Sequence, residues 1–70
     1  MNGSEFLRRV KKLAGQKNIQ FAFVARRGKG SHGTVYFGSR FTIVKDRKKE
    51  IGSGLLRDMC ASLGIDPREL

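Results

Sequence analysis

The sequence predicts an α+β fold, with two helices on one face of a three-stranded antiparallel sheet. Three features predict it: apolar residues at helical spacing near both ends, period-two alternation between them, and a Gly38-Ser39 pair joining two alternating runs. The 70 residues suffice for one such two-layer domain, spanning 1–70, and not for two.

Ser4 is a candidate N-cap and Glu5 suits the positive end of a helix. Phe6, Leu7, Val10, Leu13 and Ala14 follow at helical spacing, with Arg8, Arg9, Lys11 and Lys12 on the other face. Gly15 is a natural stop, so the first helix is expected over residues 5–14. Residues 19–25 place Ile19, Phe21 and Phe23 at period two and read as a strand. Arg26-Arg27-Gly28-Lys29-Gly30-Ser31 breaks every periodicity and reads as a basic loop.

Residues 32–37 and 40–45 read as the arms of a hairpin, with Gly38 first in a type II′ turn. That register sets Phe37 against Arg40, Tyr36 against Phe41, Thr34 against Ile43 and His32 against Lys45. One face then holds His32, Thr34, Tyr36, Phe41, Ile43 and Lys45, and the other Gly33, Val35, Phe37, Arg40, Thr42 and Val44. Both faces are mixed, so alternation leaves open which one is buried. Ser53 is the expected cap of a second helix with a Leu55, Leu56, Met59 and Leu63 stripe, ended by Gly64. Asp66-Pro67-Arg68-Glu69 has the pattern of a further helical turn.

Lys and Arg number 15 against 6 Asp and Glu, a net charge of +9. Charge of this density points to a polyanionic partner. Of it, 13 basic and 3 acidic residues fall in positions 1–50, so the positive field belongs to the first part of the chain. Cys60 is the only cysteine, which excludes an intramolecular disulfide and the usual cysteine-based zinc sites; it is expected to pack as a small apolar residue. No run approaches the roughly 18 apolar residues of a membrane span. The first residues lack a signal-peptide pattern, so a cytoplasmic location and no membrane partner are expected.

His32 is the only histidine, and it stands inside Lys29-Gly30-Ser31-His32-Gly33. Flanking glycines give a phosphate close access to the backbone, and N–H groups in such a turn can cradle an anion. Imidazole titrates near neutrality, as general acid–base chemistry requires. A lone His at a strand start is more often a surface or hydrogen-bonding residue than a catalyst; as a catalyst in this basic setting, its reaction would be RNA cleavage. A base takes the proton of a ribose 2′-OH, the 2′-oxygen attacks the adjacent phosphorus, and an acid protonates the departing 5′-oxygen. No carboxylate cluster suggests a metal, and no cofactor is expected. Lys29, Tyr36 or water are candidates for the second proton-transfer role. Arg26, Arg27, Lys29, Gly30, Ser31 and Lys45 are the candidate phosphate contacts. Tyr36 is either a core aromatic or a base-stacking one, whereas Phe41 is expected in the core.

Two segments carry a family resemblance. Lys29-Gly30-Ser31-His32, and Glu50 through Leu63 with its Glu50-Ile51-Gly52-Ser53-Gly54-Leu55-Leu56-Arg57 start, together resemble the HicA toxin family over about residues 3–65. The resemblance implies a fold like that of double-stranded-RNA-binding domains. It also implies a toxin of a type II toxin–antitoxin system, an mRNA interferase with His32 as its catalytic residue, held inactive by a HicB-type antitoxin. The chain departs from many members at Gly33, where they carry a bulky residue, and at Lys45-Asp46-Arg47, where they carry a Pro and a second His. The alternative reading is a non-catalytic RNA-binding module with the same fold and charge. A third is a small regulatory protein that docks to another protein.

Overall fold

A computed structural model describes residues 1–28 and 32–70. Its elements are α1 (Gly3–Lys17), β1 (Phe21–Ala25), β2 (Gly33–Phe37), β3 (Arg40–Val44) and α2 (Ser53–Leu63), then a 3-10 turn at Pro67–Glu69. The sheet is antiparallel with order β1-β2-β3. This is the α+β, αβββα arrangement that the periodicities predict.

The ends of α1 differ from expectation for identifiable reasons. Asn2, not Ser4, is the N-cap: its side chain accepts the Glu5 N–H at 2.9 Å. Ser4 instead donates its N–H and its hydroxyl to the Arg47 carbonyl, at 2.9 and 3.2 Å. The helix also runs through Gly15, where an interior glycine costs only about 1 kcal/mol. It stops at Asn18, which adopts a left-handed φ of 58°. There the Ile19 N–H reaches the Ala14 carbonyl at 2.8 Å, the closing bond of a Schellman motif. That use of Ile19 is why β1 begins at Phe21 rather than at residue 19.

The hairpin register is the expected one, from Phe37–Arg40 through Tyr36–Phe41 to Thr34–Ile43. Gly38 has φ +64°, and Ser39 is not among the positive-φ residues, as a type II′ turn requires. The ladder ends at Gly33–Val44, one step short of the expected His32–Lys45 pair.

Packing settles which sheet face is covered. Val35, Phe37 and Val44 are buried with Phe6, Val10, Leu13, Met59, Cys60 and Leu63 in one cluster. α1 lies over β1 and β2, and α2 over β3. The opposite face carries Val24, Tyr36, Phe41 and Ile43, all exposed, and among the described residues no helix covers it. Phe41 is therefore not a core residue; it is 57% exposed because alternation sets it beside Tyr36. Leu55 also leaves the expected stripe and is 51% exposed. The buried stripe of α2 is Met59, Cys60 and Leu63, with Leu56 partly buried beside it. Gly52, not Ser53, precedes the first turn of α2, and no side chain caps it. Gly64 ends α2 as expected. Cys60 is fully buried, and burial pushes its thiol pKa up. Among the described residues, no helix is long and apolar enough to cross a membrane.

At the C-terminal turn, Asp66 caps by accepting the Arg68 N–H at 2.9 Å and pairs with the Arg68 guanidinium. These bonds lower its carboxyl from 3.8 to about 2. A lowered carboxyl stabilises the fold above its unfolded pKa and loses that contribution as pH falls through its folded value. Asp66→Ala is therefore expected to lower the melting temperature at pH 5–7 and to match the wild type near pH 2. Thermal unfolding by circular dichroism across that range measures the convergence.

Candidate functional site

His32 sits directly before β2, at the end of the sheet where two basic loops meet. Its carbonyl accepts the Arg26 N–H at 2.8 Å, which continues the β1–β2 pairing one step past Ala25–Gly33. On the other side, β3 ends at Val44 and Lys45 follows. His32 thus stands between Arg26 and Lys45 along the same sheet end. Alternation along β2 sets it on the uncovered face with Thr34 and Tyr36. It is partly exposed, and among the described residues its side chain has no hydrogen-bond partner. Lys29, Gly30 and Ser31, the expected phosphate-binding turn, lie outside the described residues.

What holds this end of the sheet in place is a stack that the sequence reading did not include. The Phe23 ring lies across Gly33: a Cβ there would come within 2.7 Å of Phe23 Cε1 and 2.9 Å of the Val24 carbonyl oxygen. On Phe23 rests the Arg47 guanidinium, 5.3 Å from the ring centroid. The Arg47 carbonyl in turn accepts from Ser4 at the start of α1. Any side chain at Gly33 would therefore meet Phe23.

The charges sort into paired and unpaired ones. Glu5 pairs with Arg8 and Arg9, Glu50 with the terminal amine, Asp66 with Arg68, and Glu69 with Lys17. Lys17 holds the Glu69 carboxyl pKa below its ordinary value. Asp46 accepts the Lys48 N–H at 2.9 Å, closing a local turn. Among the described residues, Arg26, Arg27, Lys45, Lys48 and Lys49 have no acidic partner, and all five are exposed. On the basic stripe of α1, Arg8 and Arg9 are paired and Arg9 also donates to the Leu70 carbonyl at 2.9 Å, while Lys11 and Lys12 are exposed with no acidic partner among the described residues. That stripe belongs to the covered side of the sheet, opposite His32.

The uncovered face also carries apolar surface, toward the Gly38 turn. Tyr36 and Phe41 are cross-strand neighbours with ring centroids 6.0 Å apart and planes tilted by 44°. Both are exposed, Tyr36 at 40%. On the open face the Thr34–Ile43 pair separates these rings from the His32 end of the sheet, where the loop cations lie, so a strand of bases would have to run along the face to meet both. Among the described residues, no three His, Cys, Asp or Glu side chains gather as a metal site would need.

Gly33→Ala is expected to destabilise the fold by about 1–3 kcal/mol, the usual cost of overpacking, because ring and backbone must both shift. Urea unfolding of that variant, alone and combined with Phe23→Leu, measures it. Partial recovery in the double variant is the expected result.

No known protein family, curated protein or solved structure matches the chain, so its likeness to HicA toxins rests on the residue pattern of the two segments.

Proposed function

We propose that this protein is a HicA-type toxin of a type II toxin–antitoxin pair: a metal-independent endoribonuclease that cuts mRNA in the cytoplasm and is restrained by a HicB-type antitoxin. The observation that supports this best is the position of His32, flanked by Arg26 and Lys45 and sharing a face with Tyr36. In this reading RNA lies along the uncovered face. Tyr36 and Phe41 stack bases, while Arg26, Arg27 and Lys45 contact phosphates, with Lys29, Gly30 and Ser31 completing the anion site.

The chemistry follows from that placement. His32 takes the proton from a 2′-OH or delivers one to the departing 5′-oxygen, and Lys29, Tyr36 or water performs the other transfer. The O2′–P bond forms and the P–O5′ bond breaks, which leaves a 2′,3′-cyclic phosphate and a 5′-hydroxyl. The cations offset charge on the phosphoryl oxygens in the transition state. A second reading, a non-catalytic RNA-binding module, is favoured by the exposed Tyr36–Phe41 pair, since stacking requires no chemistry.

Cleavage of a labelled RNA in the presence of chelator separates the two readings. His32→Ala is expected to keep its fold by circular dichroism and to lose about 100-fold or more in rate, as removal of a general acid or base does. Equal cleavage by both proteins would remove His32 from the chemistry. No cleavage by either, with binding retained, would leave the binding module. In the same series, Arg26→Ala and Lys45→Ala are each expected to weaken RNA binding. Each is also expected to flatten the slope of log K against log salt by about 0.7 per lost single-strand phosphate contact.

A further inference from the structure

The outer edge of β3 is a second unfinished surface. β3 is an end strand of the sheet. The two-residue turn makes Phe37–Arg40 a hydrogen-bonded pair, and alternation makes Val35–Thr42 and Gly33–Val44 the next ones. Arg40, Thr42 and Val44 therefore direct their backbone groups to β2. The N–H and C=O groups of Phe41 and Ile43 face outward, and among the described residues nothing pairs with them. Natural edge strands are commonly blunted by Lys, Pro or a bulge, and Phe41 through Val44 contains none of these.

Beside that edge runs an apolar groove between β3 and α2. It encloses about 170 Å³ next to Ile43, Leu55 and Met59, and continues past Thr42 and Asp58. Ile43 and Leu55 are 47% and 51% exposed along it. Lys45 and Lys49 line it together with Asp46 and Glu50, and with Arg47 and Lys48 the 45–50 segment beside it carries four cations against two acids. A second copy of this chain is a poor occupant. It carries the same +9 charge, and antiparallel pairing about Thr42 would set each Arg40 opposite Val44 and next to Lys45 of the other copy.

We infer that this edge docks an extended acidic segment of a partner protein, added to β3 as a fourth strand. One apolar side chain of the segment sits between Ile43, Leu55 and Met59, and its acidic side chains meet Lys45 and Lys49. The inference does not depend on RNA cleavage, and its test contains no RNA.

The test titrates the isotopically labelled protein with a synthetic peptide of about seven alternating Glu and Val residues, a typical strand length. A counterpart with Lys in place of Glu serves as control, and both are run at about 150 mM salt to suppress long-range attraction. Expected are saturable shifts at the Phe41 and Ile43 amides and the Leu55 and Met59 methyl groups, with the Lys peptide at least about tenfold weaker. Ile43→Pro removes only an outward N–H from the edge, and Leu55→Glu places a charge in the groove; each is expected to weaken binding by about tenfold or more. Leu55→Glu, at a half-exposed position, carries the test alone if Ile43→Pro unfolds. Three results would overturn the inference: equal binding of the Lys peptide, shifts confined to α1 or the Arg26 loop, or no saturation by about 1 mM peptide. A dimer of the protein alone that pairs through β3 would assign the edge to a second copy and overturn it as well.

Discussion

The contact between the Phe23 ring and Gly33 is the one on which the rest of this end of the molecule depends. It brings β1 and β2 close enough for the Arg26 N–H to reach the His32 carbonyl. It also offers the ring face on which Arg47 rests, and Arg47 is fixed from behind by Ser4. The first turn of α1, the loop after β3 and the residue before β2 thus form one continuous set of contacts. Bulk at Gly33 would push on Phe23, and through it on the loop that carries Lys45, Lys48 and Lys49.

The distribution of charge has a similar logic. Most of the six acids are used locally, in ion pairs or capping bonds that stabilise the helices and the C-terminal turn. Among the described residues, the cations left without an acidic partner include Arg26, Arg27, Lys45, Lys48 and Lys49 on the two loops at the His32 end of the sheet, and Lys11, Lys12, Arg40 and Arg57 elsewhere. Because both helices pack on one face, the other face is left with Val24, Tyr36, Phe41 and Ile43 in solvent.

Much of the fold was legible because it rests on local rules. Period-two alternation and a Gly38-led turn specify the hairpin and its register, and a 3.6-residue period specifies the buried sides of both helices. Errors fell where two local signals competed or where a tertiary contact decided. Ser4 and Asn2 are both acceptable caps, and Ser4 was diverted to Arg47. Gly15 is an acceptable stop, yet Asn18, less than one turn later, ended the helix instead through its left-handed cap. Phe41 was expected inside because aromatic residues usually are; only the placement of both helices shows that its face is open. The candidate site was legible in its residue types, His32 with Arg26, Arg27 and Lys45, while the stack of Gly33, Phe23 and Arg47 that positions them was not. Those three residues lie far apart in sequence and no periodicity links them.

The central claim is that RNA is held on the open sheet face with its backbone passing His32. The most direct measurement is an NMR titration of the protein with a single-stranded RNA carrying 2′-O-methyl groups, which cannot supply the attacking hydroxyl. The account predicts that the strongest shifts fall on Tyr36, Phe41 and His32 and on the Arg26 and Lys45 loops. Shifts concentrated on Lys11, Lys12 and the rest of the exposed side of α1 would contradict it, since they would put the RNA on the opposite side of the sheet from His32.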